Sequence, residues 1–129
     1  MKQYAAQGDF KHKHERVTVK LSVLEFQDGG VHIYYAPALD LSGYGKTEKE
    51  ARKSFDFVME EFMAYTLKKG TLHKELRRLG WNIRSMKQHK IKVPPLEKLA
   101  ENNEQISQLL NHTPNLKISQ QTAEIPVFA

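Results

Sequence analysis

The stretch that most constrains this chain covers residues 31–70, where a strand pattern passes through a glycine-containing corner into a capped helix. The run VHIYYA is β-branched and aromatic, as strands are, and Pro37 ends it because proline has no N–H to donate. A short strand around residues 41–44 follows, and Gly43 and Gly45 are expected to give the backbone freedom at a tight corner. This order predicts a small sheet that turns directly into its covering helix.

The helix begins at a capping box, Thr47-Glu48-Lys49-Glu50. The Thr47 hydroxyl is expected to accept from the Glu50 N–H, and the Glu50 carboxylate from the Thr47 N–H. The helix should run to about Lys69 and end at Gly70. Its predicted apolar stripe follows a spacing of three and four residues and comprises Ala51, Phe55, Val58, Phe62 and Tyr65, widened by Met59.

An antiparallel hairpin is predicted before this unit, over residues 16–36. Apolar side chains alternate with polar ones from Val17 to Val23, which indicates a half-buried strand. Asp28-Gly29-Gly30 supplies the positive φ angles of a tight turn. Leu24 and Phe26 break the alternation, which indicates a bulge or a change of face near the end of the strand.

Three further elements are predicted after Gly70, together with a basic and weakly strand-like stretch over residues 82–93. They are a short helix over 71–79, capped by Thr71 and anchored through Trp81, a helix over 95–111 and a strand over 116–127. Pro126 confines the end of that strand to a sheet edge.

The predicted fold class is therefore α+β, with a three- to four-stranded antiparallel sheet covered by one long helix and a C-terminal helix-plus-strand extension. The predicted divisions are a flexible lead-in over 1–14, an α+β domain over 15–93 and the extension over 94–129.

The composition indicates the cellular compartment in which this chain is expected. The 129 residues include no Cys, which excludes disulfides and thiolate metal sites and is typical of a reducing compartment. No run is apolar enough to span a bilayer, and the N-terminus lacks the apolar segment of a secretory signal. A cytoplasmic protein without a membrane partner is expected.

The net charge of +5 is concentrated in residues 68–92, which we call the basic segment. Glu75 is the single acid there. Two interpretations stay open: a surface for a phosphate backbone or an acidic protein, or a solvated face that keeps the protein soluble. The basic side chains are Lys68, Lys69, Lys74, Arg77, Arg78, Arg84, Lys87, Lys90 and Lys92.

No catalytic constellation is visible. Metal-assisted phosphodiester cleavage needs several converging carboxylates, and Glu25 with Asp40 is the only pair expected on adjacent strands. Asp56, Glu60 and Glu61 fall on the predicted solvent face of the long helix, within reach of Lys49 and Lys53. His32 has no candidate nucleophile near it in sequence, and His73 and His89 lie in a basic stretch where they would be paired with phosphate or solvated. We therefore expect a non-enzyme without metal or cofactor.

The residues at the corner resemble the HicB antitoxin family. The matching order is Tyr34-Tyr35-Ala36-Pro37, Leu39, Gly43, Gly45, Thr47 and Glu50-Ala51, within residues 16–70. The resemblance implies a truncated relative of the ribonuclease H fold, in which Pro37, Gly43, Gly45, Thr47 and Glu50 are structural. It also implies a non-catalytic antitoxin that neutralises a small HicA-like mRNA interferase, with autoregulation of its operon as an associated role.

The C-terminal third departs from that family because neither a helix-turn-helix nor a ribbon-helix-helix pattern is present. DNA is therefore only an alternative partner, and a stand-alone nucleic-acid-binding protein that uses the basic segment is the alternative function. The open edge of a small sheet also predicts pairing with a second copy, or coverage by the strand at 116–127, and a homodimer or higher oligomer is expected.

Overall fold

The computed structural model describes residues 15–85 and 90–127, so the predicted lead-in over 1–14 lies outside the described residues. The described residues form a four-stranded sheet, a separate two-stranded hairpin and four helices. In chain order the elements are β1 (Glu15–Asp28), β2 (Val31–Ala36), β3 (Leu41–Gly45), α1 (Glu48–Lys69), α2 (Leu72–Arg78), β4 (Asn82–Ser85), β5 (Lys90–Lys92), α3 (Leu96–Asn102), α4 (Glu104–His112) and β6 (Lys117–Val127).

The main sheet has the order β3-β2-β1-β6 and is antiparallel throughout. The predicted α+β class with a four-stranded antiparallel sheet is confirmed. Gly29 and Gly30 join β1 to β2 with φ angles of 59° and 82°, as the hairpin prediction requires. The C-terminal strand β6 pairs with β1 from Glu15↔Val127 to Glu25↔Lys117. The strand of the predicted extension thus lies in the main sheet, and the domain divisions stay predictions.

The core lies between one face of this sheet and the helices α1 and α2. Leu21, Leu76 and Ile125 are fully buried in it. Trp81 is buried in the same cluster, and its indole Nε1 donates to the Ala38 carbonyl at 2.8 Å. Trp81 therefore anchors the chain after α2 to the turn after β2, as predicted.

The corner is built on close packing. A Cβ on Gly43 would lie 2.2 Å from the Phe55 backbone nitrogen, and one on Gly45 would lie 2.6 Å from that of Ala51. Neither glycine has a positive φ. The expectation that both supply backbone freedom is wrong, because they are small so that α1 can lie directly on β3.

The capping box forms, with one difference from the prediction. Thr47 Oγ1 accepts from the Glu50 N–H at 3.1 Å. The Glu50 carboxylate accepts from the Lys46 N–H at 2.9 Å, and not from Thr47 as predicted. Because Lys46 precedes the cap, the box also fixes the last residue of the corner.

The apolar stripe of α1 differs from its prediction near the C-terminal end. Tyr65 is 62% exposed, and Thr66 is buried instead. The Thr66 hydroxyl donates to the Phe62 carbonyl at 2.8 Å, which satisfies the polar group inside the core. The helix ends at Gly70 in the left-handed conformation, as predicted.

The predicted bulge in β1 is wrong. The register of β1 is continuous with β6 from Glu15 to Glu25 and with β2 from Leu24 to Asp28. Leu24 is fully buried, although strand alternation places it on the opposite face of the sheet from Leu21 and Val23. Gln105 and Ile106 of α4 line a cavity of about 330 Å³ together with Phe26 and other residues of this face.

The single helix predicted over 95–111 is divided into α3 and α4. The side chain of Asn103 accepts from the N–H groups of Gln105 and Ile106 at 2.9 and 3.2 Å, so a new helix begins there. The predicted side-chain cap by Thr71 is also absent, although α2 begins at Leu72 as expected.

No helix among the described residues is long and apolar enough to cross a bilayer.

Candidate functional site

The basic segment is distributed over four consecutive elements. Lys68 and Lys69 end α1, and the next three cations lie on α2. Arg84 is on β4, and Lys90 and Lys92 are on β5, whereas Lys87 lies outside the described residues. The elements contact one another in chain order, α1 with α2, α2 with β4 and β4 with β5. The fold therefore brings the segment into one continuous region.

The apolar residues of this region point inward and the cations outward. On α2, Leu72 and Leu76 are buried. On the hairpin, Ile83 is buried and Ile91 packs against the core. The basic side chains with described burial are all exposed, namely Lys68, Lys69, Lys74, Arg77, Arg78, Arg84, Lys90 and Lys92.

Three of the cations are engaged by the protein itself. Arg78 donates hydrogen bonds to the Glu75 carboxylate from Nε at 3.1 Å and from Nη2 at 2.9 Å. These hydrogen bonds lower the pKa of Glu75. Arg77 donates to the Ile83 carbonyl at 3.2 Å and ties α2 to β4. The Lys69 ammonium lies 5.9 Å from the centre of the Tyr65 ring.

The other described cations of the segment have no ion pair within residues 15–85 and 90–127; they are Lys68, Lys74, Arg84, Lys90 and Lys92. On α2, burial and the charge of Arg77 lower the pKa of His73 below its usual value. This surface therefore stays cationic without help from His73 at neutral pH.

A second exposed surface lies on the outer side of α1, and we call it the α1 patch (Phe57, Glu60, Glu61 and Tyr65). Phe57 is 63% exposed, and Tyr65 nearly as much. Within the described chain, Glu60 and Glu61 have no ion pair, so the pairing expected with Lys49 and Lys53 is not formed. Exposed aromatic groups beside unpaired carboxylates are suited to a basic protein partner.

A polar cluster around Glu25 went unrecognised in the sequence. Glu25 is only 7% exposed, and its Oε2 accepts from Ser119 Oγ at 2.7 Å. Arg52 and Lys117 each place a nitrogen 3.9 Å from Oε1. The buried charge is therefore balanced by two cations and one hydroxyl donor.

Tyr34 extends this cluster. The Arg52 guanidinium lies 5.4 Å from the centre of its ring, its hydroxyl donates to Gln121, and burial raises its pKa. A cavity of about 400 Å³ opens beside the cluster, and Glu25, His32, Tyr34, Glu48 and Lys117 are among its lining residues.

The alternation in β1 could have placed Glu25 inward, since it follows Val19, Leu21 and Val23 at a spacing of two. Its partner Ser119 is 94 residues away, so no local pattern could have identified the pair.

The carboxylate pair considered for catalysis is not formed. Glu25 lies opposite Tyr34 in the sheet, whereas Asp40 accepts from the Tyr35 hydroxyl at 3.0 Å. Tyr34 and Tyr35 are consecutive strand residues, so the two acids belong to opposite faces of the sheet. Burial, together with Asp40, raises the pKa of Tyr35. Among the described residues, no three His, Asp or Glu side chains are grouped closely enough to hold a metal ion.

Comparisons with protein-family models, with curated proteins and with solved structures find no match to this chain. The resemblance to the HicB family, the absence of catalysis and the cytoplasmic location stay predictions from the sequence.

Proposed function

We propose that this protein is a non-catalytic, antitoxin-like protein that binds and neutralises a small HicA-like mRNA interferase toxin. The observation that carries the proposal is the junction between β3 and α1. Gly43 and Gly45 lie against the helix, and Thr47 and Glu50 cap it. These residues carry the resemblance to the HicB family, and a sheet packed on one long helix is what that resemblance implies. We extend the proposal to a truncated ribonuclease H-like fold.

The α1 patch is the surface that best suits such a partner. Small toxins of this kind are basic, and Glu60 and Glu61 offer exposed carboxylates that no described lysine or arginine neutralises. Phe57, at the centre of the outer side of the helix, would supply the apolar anchor on which protein interfaces depend. We assign the toxin-binding role to this patch.

The test is growth rescue in cells that express the small basic protein encoded by the neighbouring gene. Co-expression of the wild-type chain should restore growth, and the two proteins should co-purify. The double variant Phe57→Ala with Glu61→Lys should lose rescue, because it removes the anchor and reverses a charge.

The control for the patch is Val31→Ala, which removes another exposed apolar side chain at the tip of the first hairpin and should rescue fully. Failure of the wild-type chain both to rescue and to co-purify would exclude the antitoxin role. Full growth rescue by the double variant would exclude the α1 patch as the toxin-binding surface.

The second candidate function is nucleic-acid binding through the basic segment. The specific observation that favours it is that Lys74, Arg84, Lys90 and Lys92 point outward from contacting elements with no acidic partner among the described residues. Such cations would neutralise backbone phosphates and release counterions, which makes the affinity depend on salt.

A salt titration with duplex DNA and with RNA tests this candidate. For duplex DNA, each phosphate contact should add about 0.9 to the slope of log affinity against log salt. The double variant Lys90→Ala with Lys92→Ala should lower that slope by roughly 2, since it removes two contacts. Lys49→Ala, an exposed lysine on the first turn of α1, should leave the slope unchanged. A curve without detectable binding would remove the candidate.

A further inference from the structure

Among the described residues, the two outer strands of the main sheet differ in whether another element covers their edge. The order β3-β2-β1-β6 makes β3 and β6 the outer strands. An outer strand presents unpaired N–H and C=O groups along one side, and proteins usually cover, shorten or charge such an edge. The question is which of the two edges stays open.

The β3 edge is closed by α1. The Tyr44 N–H points away from β2 and donates to Ser54 Oγ of the helix at 3.1 Å. The backbone of α1 also lies directly on the face of β3 at Gly43 and Gly45, so the helix is held close to this edge. The strand is only five residues long. A partner strand therefore has little to pair with here.

Within residues 15–85 and 90–127, the β6 edge is open. The strand is 11 residues long and pairs with β1 over its whole length, and no other described element lies beside it. Pro126 has no N–H, and a strand accommodates proline where its nitrogen faces an open edge. Because N–H direction alternates along a strand, every second residue before Pro126 directs its N–H to the same edge. These residues are Ile118, Gln120, Thr122 and Glu124, and all four are exposed.

We propose that a second copy of this chain pairs with the β6 edge in the antiparallel sense, centred on Thr122, so that the main sheet continues from one copy into the other. This inference does not rest on the antitoxin role. It names the edge, the partner and the register that would give the expected homodimer.

Self-complementarity of β6 supports a second copy as the occupant. With Thr122 opposite its own equivalent, Gln120 lies opposite Glu124 and Ile118 lies opposite Pro126. An amide thus meets a carboxylate, and no like charges face each other, whereas Pro126 is already buried within one copy. Moving the centre by one residue to Gln121 would place Ile118 opposite Glu124, which is a poorer match.

The closed β3 edge explains why the assembly should stop at two copies. A twofold contact uses the same edge of both chains, so both β6 edges are consumed. The outer strands of the resulting sheet are then the two β3 strands, which α1 protects. An open edge at both ends would instead allow growth into fibres.

The absence of cysteine makes a direct geometric test available. Opposed residues of an antiparallel pair have Cα atoms about 4.5–5.5 Å apart, within the range of a disulfide. Thr122→Cys should therefore form a covalent dimer under mild oxidation. The control is Lys20→Cys, on the register partner of Thr122 in β1, which is also exposed and lies on the same face. Its equivalents would lie about 14 Å apart, three strand spacings, and should not link.

A second measurement avoids oxidation. Light scattering coupled to size exclusion should give a dimer for the wild-type chain and for Thr122→Ala, and a monomer for Thr122→Pro. The proline removes only an N–H that faces the open edge, and far-UV circular dichroism should show a folded chain. A wild-type monomer at all concentrations would overturn the proposal, as would equal cross-linking of the Thr122→Cys and Lys20→Cys variants.

Discussion

At the scale of single residues, two glycines, which have no side chain, decide how closely α1 packs on the sheet. Gly43 and Gly45 are ordinary in backbone conformation, but any Cβ at either position would overlap the helix backbone. Glycines of this kind act through packing, whereas Gly29 and Gly30 act through their positive φ angles. The two roles predict different responses to substitution.

Gly43→Ala should lower the free energy of unfolding by about 3 kcal/mol, at the upper end for overpacking, because the atoms it would meet are backbone atoms that cannot rotate away. Gly29→Asn is the control, since asparagine tolerates a positive φ and nothing lies near that site. It should change stability by less than about 0.5 kcal/mol. Urea unfolding followed by circular dichroism measures both, and equal stability of Gly43→Ala and wild type would contradict the packing role.

The residues that sequence reasoning misplaced share a physical cause. The choice between Tyr65 and Thr66 for the core depends on how α1 rotates over the sheet, and hydrophobicity favours tyrosine. Thr66 can be buried because its hydroxyl bonds within the helix. Glu25 likewise depends on Arg52 and on residues of β6 that are distant in sequence. Burial of a polar group is predictable only when its partner is known.

At the scale of elements, the structure follows the sequence where the signals are local. The first hairpin, α1 and the C-terminal strand are found close to their predicted bounds because turn glycines, a capping box and alternation specify them. The apolar stripe over 95–111 consists of Leu96, Leu99, Ile106 and Leu110 and is weakened in its middle by Asn102 and Asn103. That weakening does not by itself reveal that Asn103 caps a new helix.

Asn103→Ala tests this cap. Loss of the two bonds to the α4 N–H groups should lower the free energy of unfolding by about 1 kcal/mol. Asn102→Ala is the matched control, because that residue ends α3 and caps nothing. It should leave stability unchanged or raise it by a few tenths of a kcal/mol. Chemical unfolding of the wild-type chain and the two variants at one pH measures these changes in stability. Equal effects of both substitutions would contradict the cap.

The histidine of α2 predicts a pH dependence. Burial and Arg77 lower the pKa of His73 in the folded protein below the unfolded value of about 6.5. Its contribution to stability is therefore complete above pH 6.5 and is lost as the pH falls towards the folded-state pKa.

His73→Gln should reduce the loss of unfolding free energy between pH 7 and pH 5.5, roughly the window below the unfolded histidine pKa. Lys74→Gln changes the neighbouring residue without a group that titrates in this window, and it should keep the wild-type slope. Urea midpoints at several pH values give the comparison. A wild-type slope in His73→Gln would show that this histidine is not linked to folding.

At the scale of the whole molecule, the C-terminal strand joins the two ends of the described chain in one sheet. The pairing of β1 with β6 connects residues about a hundred positions apart, and no local sequence signal specifies which strand β6 joins. Sequence reasoning supplied both strands and the need to cover an edge, but left open whether a second copy or the same chain would do so. The chain covers β1 itself and moves the open edge to β6.

This integration predicts that β6 and the core unfold together. Ile125 is fully buried in the cluster that contains Leu21 and Trp81, so Ile125→Ala should lower the free energy of unfolding by about 2–5 kcal/mol. Trp81 is the single tryptophan, and its fluorescence reports the core while circular dichroism reports all elements. Both transitions should move to lower urea concentration together, because one cooperative unit contains both. Thr122 is exposed in the same strand, so Thr122→Ala should leave both unfolding transitions at the wild-type urea concentration. All variants are compared at one protein concentration. A circular dichroism transition that shifts while the Trp81 transition stays fixed would instead make β6 an independent appendage.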